Sequence, residues 1–242
     1  LAPASMVRAP NALVQLYTDD RTRLVEALMA SRVLVPEGRT DSDWLRLLLD
    51  VIETGIPTTR TVEKLVPPFG SVVGVVPTRN AAVEVTCKRL AELHPCVMAL
   101  VDGDEEGDEY VSKLASSAAP PFAILQWPPG WAIEDAITWA LDADSAALLP
   151  DISERLERSF DDLTQLTAAL KNPDGRTAGL KTHYIAHEEI AGALKKSEKG
   201  VQRAELILES LTRVALDDTD AFSHLERDQR SSKTTAVYYF KS

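Results

Sequence analysis

The stretch "SRVLVPEGRTDSDWL", Ser31 to Leu45, joins an apolar run to Pro36-Glu37-Gly38 and then to a new helical pattern. An unbroken run of branched residues reads as a short strand buried on both faces. The following "DWLRLLLDVIE" reads as a helix to about Glu53, with Gly55 and Pro57 ending it. Two carboxylates, Glu37 and Asp41, therefore fall where a buried strand ends and a helix begins. In a parallel α/β sheet this is the ligand-binding edge, because loops diverge there and helix N-termini point inward. Gly38 lets backbone or phosphate approach closely between them. The bland reading of Asp41 is a helix cap.

A second stretch, "VMALVDGDEEGDEY", Val97 to Tyr110, repeats the arrangement. Asp102, Asp104 and Glu105 follow a strand, and Gly103 permits a sharp turn between the first two. Alone, this segment also reads as an acidic turn before a solvated helix. One acidic motif after each of two apolar strands, with a strand–helix unit between them, favours a shared site. Two carboxylates 4 Å apart repel by roughly 4 kcal/mol at an effective dielectric near 20. Such a group needs protonation, a lysine or a divalent ion, and hard oxygen donors suit Mg²⁺ or Mn²⁺. The spacing is not that of a calcium-binding loop, and the His and Cys of a zinc site are missing.

Further along, "SVVGVVP", "CVMALVD" and "FAILQW" read as strands, with the helices "AAVEVTCKRLAEL" and one from about Gly107 between them. Residues 11–30 carry helical spacing through Leu13, Leu16, Leu24 and Leu28, and "TTRTVEKLVPPF" reads as irregular or edge strand. The repeated strand–helix order predicts an α/β layer with a mostly parallel sheet flanked by helices. From about Trp131 the pattern turns all-helical through "WAIEDAITWALD", "ISERLERSFDDLTQLTAALK", "YIAHEEIAGALK" and "GVQRAELILESLTRVALD". "NPDGRTAG", 172–179, is the strongest loop signal. The expected organisation is a helical segment over 1–30, a catalytic core over 31–130, a helical subdomain over 131–228, and a strand or tail over 229–242.

The 242 residues are 45% hydrophobic and 26% charged, an ordinary balance for a folded globular protein. No window approaches 18 uninterrupted apolar residues, so no membrane-spanning helix is expected, and the N-terminus lacks the pattern of a signal peptide. Cys87 and Cys96 fit a reducing compartment, so a cytoplasmic location is expected. A net charge of −11 argues against a surface dominated by phosphate-binding groups, though not against a nucleic-acid enzyme with a metal-neutralised acidic centre. Acidic residues outnumber basic ones 16 to 4 between Val101 and Gly175, whereas Arg176 to Arg213 holds 7 basic and 5 acidic.

With these motifs in place, the chain resembles a Toprim domain, the metal-binding catalytic fold of topoisomerases, bacterial-type primases and several nucleases. Glu37 after the first strand and Asp102-Gly103-Asp104 after a later one match its glutamate and DxD signature. "VLVPEGRTDSDWL", with Asp41 four after the glutamate, resembles the nuclease domain of the OLD (overcoming lysogenization defect) family. The Toprim likeness covers about 31–127 and the OLD likeness extends more loosely to about 215. In that branch "PPGWAIEDAI" points to Glu134 as a further metal ligand, and "GRTAGLKTHYIAHEEIAGAL" points to Lys181, expected to open a helix, as the catalytic cation. Pro36 departs from the family pattern by standing where a β-branched residue is expected.

The resemblance implies a DNA endonuclease using two divalent ions held by Glu37, Asp41, Asp102, Asp104, Glu134 and Glu105, with Lys181 stabilising the pentavalent phosphate. Ca²⁺ is expected to bind without supporting activity. The implied partners are DNA and an ABC-type ATPase domain N-terminal to this region, with a homodimer for the full-length protein. No Walker-type loop occurs here and the chain starts without Met, as an isolated C-terminal region would. Two other classes stay open: a phosphatase or phosphotransferase with Asp102 as nucleophile and Asp104 as acid/base, and a non-catalytic Toprim scaffold that docks the ATPase. His183 and His187, at helical i, i+4 spacing, lack the H-E-x-x-H pattern and read as packing or solvent residues. Trp127, Trp131 and Trp139 read as packing rather than base-stacking residues.

Overall fold

A computed structural model describes residue 18 and residues 21–59, 66–78, 82–175, 179–219, 222–232 and 234–241. The chain divides into two compact units, one of Leu1–Ser42, Val66–Gly130 and Ser210–Ser242, the other of Asp43–Leu65 and Trp131–Glu209. The first holds a mixed, mostly parallel sheet flanked by helices; the second is helical.

Six strands make the sheet: β1 (Arg32–Pro36), β2 (Val73–Val75), β3 (Val97–Val101), β4 (Ala123–Gln126), β5 (Leu225–Arg227) and β6 (Ala236–Phe240). Their order is β2-β1-β3-β4-β6-β5, with every pair parallel except β5–β6. β1 and β3 are buried along nearly their whole length, which is why both read as continuous apolar runs rather than alternating ones. Val33 and Val35 of β1, Val97, Ala99 and Val101 of β3, Ile124 of β4 and Val237 of β6 line one face. That face packs on helices α1 (Arg21–Met29), α4 (Val83–Ala91) and α5 (Glu105–Ala115) through Leu24, Cys87, Leu90, Val111 and Leu114. α1 crosses β2 so closely that a Cβ on Gly74 would lie 2.4 Å from the Ala27 Cα, so the glycine sets the approach.

The remaining helices are α2 (Arg39–Thr54), α3 (Phe69–Val72), α6 (Ile133–Asp142), α7 (Ser145–Arg155), α8 (Leu163–Lys171), α9 (Tyr184–Leu194) and α10 (Glu198–Leu216). Two expectations are corrected. "SVVGVVP" is not strand throughout: Pro68 starts the single turn α3, Ser71 Oγ donates to the Pro68 carbonyl (2.7 Å), and only Val73–Val75 join the sheet. The stretch "ISERLERSFDDLTQLTAALK" is two helices rather than one, because Glu157 takes a positive φ of 49° and Asp162 caps a fresh start at Leu163. Residues 11–17, 19 and 20 of the helix expected over 11–30, Leu13 and Leu16 included, lie outside the described residues, as do 60–65 of the irregular segment and 176–178 of the loop.

Within the sheet unit, β2 lies on one side of β1 and β3 on the other, so the chain reverses its direction of winding there. Such a switch point opens a crevice at the carboxyl ends of the two central strands. The register sets Pro36 beside Leu100 and Val101 beside Gln126, which places Glu37 and Asp102 just beyond adjoining strand ends.

Candidate functional site

At the end of β1, the Thr78 hydroxyl is shared between the carbonyls of Pro36 (2.6 Å) and Glu37 (2.7 Å). Thr78 is buried, so it clamps the turn that launches Glu37. The Glu37 side chain then reaches the next strand: its Oε2 accepts the Asp102 N–H at 2.9 Å. The two acidic loops are thereby joined directly. Asp41 lies in the first turn of α2, buried, with Oδ2 accepting the Gly38 N–H at 3.0 Å. The Tyr110 phenol is pushed up by burial first, then by its hydrogen bond to Glu106 (2.6 Å) and by the Glu106 and Glu37 charges.

The DxD turn depends on its glycines. A Cβ on Gly103 would come within 1.8 Å of the Pro128 carbonyl oxygen, and one on Gly107 within 1.9 Å of the Asp102 oxygen. The Gly130 N–H donates to the Gly103 carbonyl at 2.6 Å, fixing the turn against the end of β4. Asp104 caps α5, with Oδ1 accepting the Gly107 N–H at 2.8 Å; a structural reading thus covers this residue as fully as a ligand reading. Glu105 opens α5 and is exposed. Four of the expected residues, Glu37, Asp41, Asp102 and Asp104, therefore stand at neighbouring strand ends, with Asp41 and Asp104 tied to local backbone and Glu37 to the Asp102 amide. Among the described residues, no three His, Cys, Asp or Glu side chains are close enough together to hold a metal ion.

The remaining expected residues belong to the helical unit. Glu134 lies in the first turn of α6 and is 1% exposed. Its Oε1 stands 3.9 Å from Lys181 Nζ. Burial pushes the Glu134 carboxyl up, and the Lys181 charge pulls it partly back. Next to it, Asp135 accepts the Ala132 N–H (2.7 Å) and pairs with Lys171 (2.6 Å). Lys181 does not open a helix as expected; it sits in the turn before α9, which starts at Tyr184 after the cap residue His183. The Lys181 N–H donates to the Asn172 carbonyl (3.1 Å), and the Leu180 N–H to Ala169 (2.7 Å), tethering the turn to the end of α8.

The two histidines hold this turn. His183 Nδ1 accepts the Ala186 N–H at 3.1 Å, and His187 Nε2 bonds the Leu180 carbonyl at 2.8 Å. The His187 ring stacks on Trp44 at 4.5 Å, and burial lowers its pKa, favouring the neutral ring. Of the tryptophans, Trp127 is buried edge-on to Phe240 (5.5 Å) and Trp139 lies under Arg203 (4.7 Å).

Thr78 and Gln126 escaped the sequence reading. Gln126 left a trace, as the only polar residue of an otherwise apolar strand; nothing local marks Thr78. Comparison with protein-family profiles, with curated proteins and with solved structures found no match to this chain.

Proposed function

We propose that this chain is the catalytic region of a divalent-metal-dependent DNA endonuclease of the Toprim-containing OLD type. The observation that carries this reading is the 2.9 Å hydrogen bond from the Asp102 amide to Glu37 Oε2, which ties two acidic loops together at the switch point of the sheet. Glu37, Asp41, Asp102 and Asp104, with Glu105 beside them, are the oxygen donors. An ionised carboxylate offers about four acceptor sites, so accepting one backbone N–H orients it without exhausting it as a ligand. The fit to Mg²⁺ or Mn²⁺ is one of donor chemistry and placement; full coordination requires side-chain rotation, since among the described residues no three donors stand together. Bound ions would activate a water and stabilise the leaving oxygen.

In the helical unit, Lys181 is the proposed transition-state cation. The Glu134 carboxylate facing it at 3.9 Å supports a role for Glu134 as its counter-charge more than as a metal ligand. DNA as substrate, a preceding ABC-type ATPase domain, homodimerisation and a cytoplasmic setting belong to the same proposal.

The test is nicking of supercoiled plasmid with Mg²⁺, Mn²⁺, Ca²⁺ or EDTA. Cleavage is expected with Mg²⁺ or Mn²⁺, absent with Ca²⁺ or EDTA, and lost in Glu37→Ala. EDTA-resistant cutting, or full activity in that variant, would overturn the reading. A folded wild type that cuts under none of these conditions would favour the docking role instead.

A further inference from the structure

Gln126 ends β4, is 2% exposed, and uses its whole amide. Its Nε2 donates to the Asp102 carbonyl and to Asp108 Oδ1, both at 3.1 Å, while its Oε1 accepts Arg230 Nη2 at 2.7 Å. The amide orientation is dictated by its neighbours, since carbonyl and carboxylate only accept and guanidinium only donates. Arg230 in turn donates through Nε to Asp228 Oδ2 (2.9 Å), through Nη1 to Asp108 Oδ1 (2.9 Å), and through Nη2 to the Tyr239 hydroxyl. Its guanidinium carbon lies 5.4 Å from the Tyr239 ring centroid.

Sheet register explains why residues so far apart in sequence meet. Val101 pairs with Gln126, and Gln126 with Tyr239, so the end of β3, the end of β4 and β6 form one row. We infer that Arg230 is a positioning residue for the Asp102-Gly103-Asp104 turn, acting through Gln126 on the Asp102 carbonyl and through Asp108 on the first turns of α5. What the turn does rests on the endonuclease reading; that Arg230 holds it does not. The planar fork of an arginine reaches several acceptors at fixed angles, which a single ammonium cannot reproduce.

The experiment compares wild type, Arg230→Lys and Arg230→Ala by hydrogen–deuterium exchange without metal or DNA. Calorimetric Mn²⁺ titration and plasmid nicking across Mn²⁺ concentrations follow. Exchange in residues 102–108 should speed up in both variants, with protection elsewhere in the sheet retained. The Mn²⁺ needed for half-saturation should rise by about 10–100-fold, the range for loss of a group that orients a metal ligand. Turnover at saturating Mn²⁺ should change less. Unchanged exchange in the turn, or loss of protection spread evenly over the sheet, overturns the inference. If Arg230→Ala fails to fold, Arg230→Lys decides alone. A wild type that neither binds Mn²⁺ nor cuts defeats the endonuclease reading, while the exchange result still decides the role of Arg230.

Discussion

Glu37 and Asp104, in the sheet unit, each accept a backbone N–H, from Asp102 at 2.9 Å and from Gly107 at 2.8 Å, whereas Glu134, in the helical unit, is 1% exposed and faces the Lys181 ammonium at 3.9 Å. These two carboxylates take their direction from backbone amides and reach solvent, Glu37 being half-buried and Asp104 exposed. Burying a carboxylate beside a lysine demands desolvation, offset only in part by the opposite charge. The first kind of site is within reach of a cation from solvent. In the second, charge and stability are linked. Substitutions that keep shape while removing charge separate the two.

The largest effect is expected in the sheet unit. Asp102→Asn keeps the backbone amide that meets Glu37, so thermal stability should stay close to wild type while metal-dependent nicking falls below detection. Plasmid assay and thermal denaturation on the same preparation check this; retained nicking would break the contrast at its strongest point.

Lys181→Ala comes next. Loss of a transition-state charge contact should lower turnover by roughly 10²-fold, with Mn²⁺ binding to the carboxylates intact. Single-turnover cleavage alongside calorimetry distinguishes this from a structural role, in which Mn²⁺ binding would fall as well.

Asp104 is the place where both readings meet. Asp104→Ala removes a helix cap and should cost about 1 kcal/mol, while Asp104→Asn caps as well as Asp and should cost little. Both should weaken Mn²⁺ binding if Asp104 is a ligand. An Asn variant with wild-type affinity would leave Asp104 as a cap alone.

The smallest effect concerns Glu134 and pH. Its folded-state pKa is raised above the ordinary 4.5, so the folded chain holds the proton more tightly than the unfolded one. The stability this contributes is fully present below pH 4.5 and is lost as pH rises through the raised folded value. Thermal midpoints of Glu134→Gln should therefore gain on wild type as pH rises above 4.5. A difference that does not vary with pH would show that the Lys181 pairing cancels the burial.

Much of the sheet was legible in the sequence because its central strands are buried on both faces and have no polar alternation to blur them. The acidic residues at their ends were legible for the same reason: a carboxylate directly after an apolar run cannot follow the strand into the core. β5 was missed, since three residues with the pattern Leu-Glu-Arg carry no period. Ser71 and Val72, the end of α3, were read as strand because the apolar run after them hides the turn that starts at Pro68.

Residue types and local spacing determined by themselves that carboxylates would stand at strand ends, that glycines would sit where backbones approach, and that a helical region would follow Trp131. These are short-range consequences of volume, charge and period. Strand order lay beyond them, and with it the joining of Glu37 to Asp102 across 65 positions and of Arg230 to Gln126 across 104. Such contacts exist only once parallel strands have chosen neighbours and register. That choice is made by the burial of both sheet faces together, and no local window of sequence contains it.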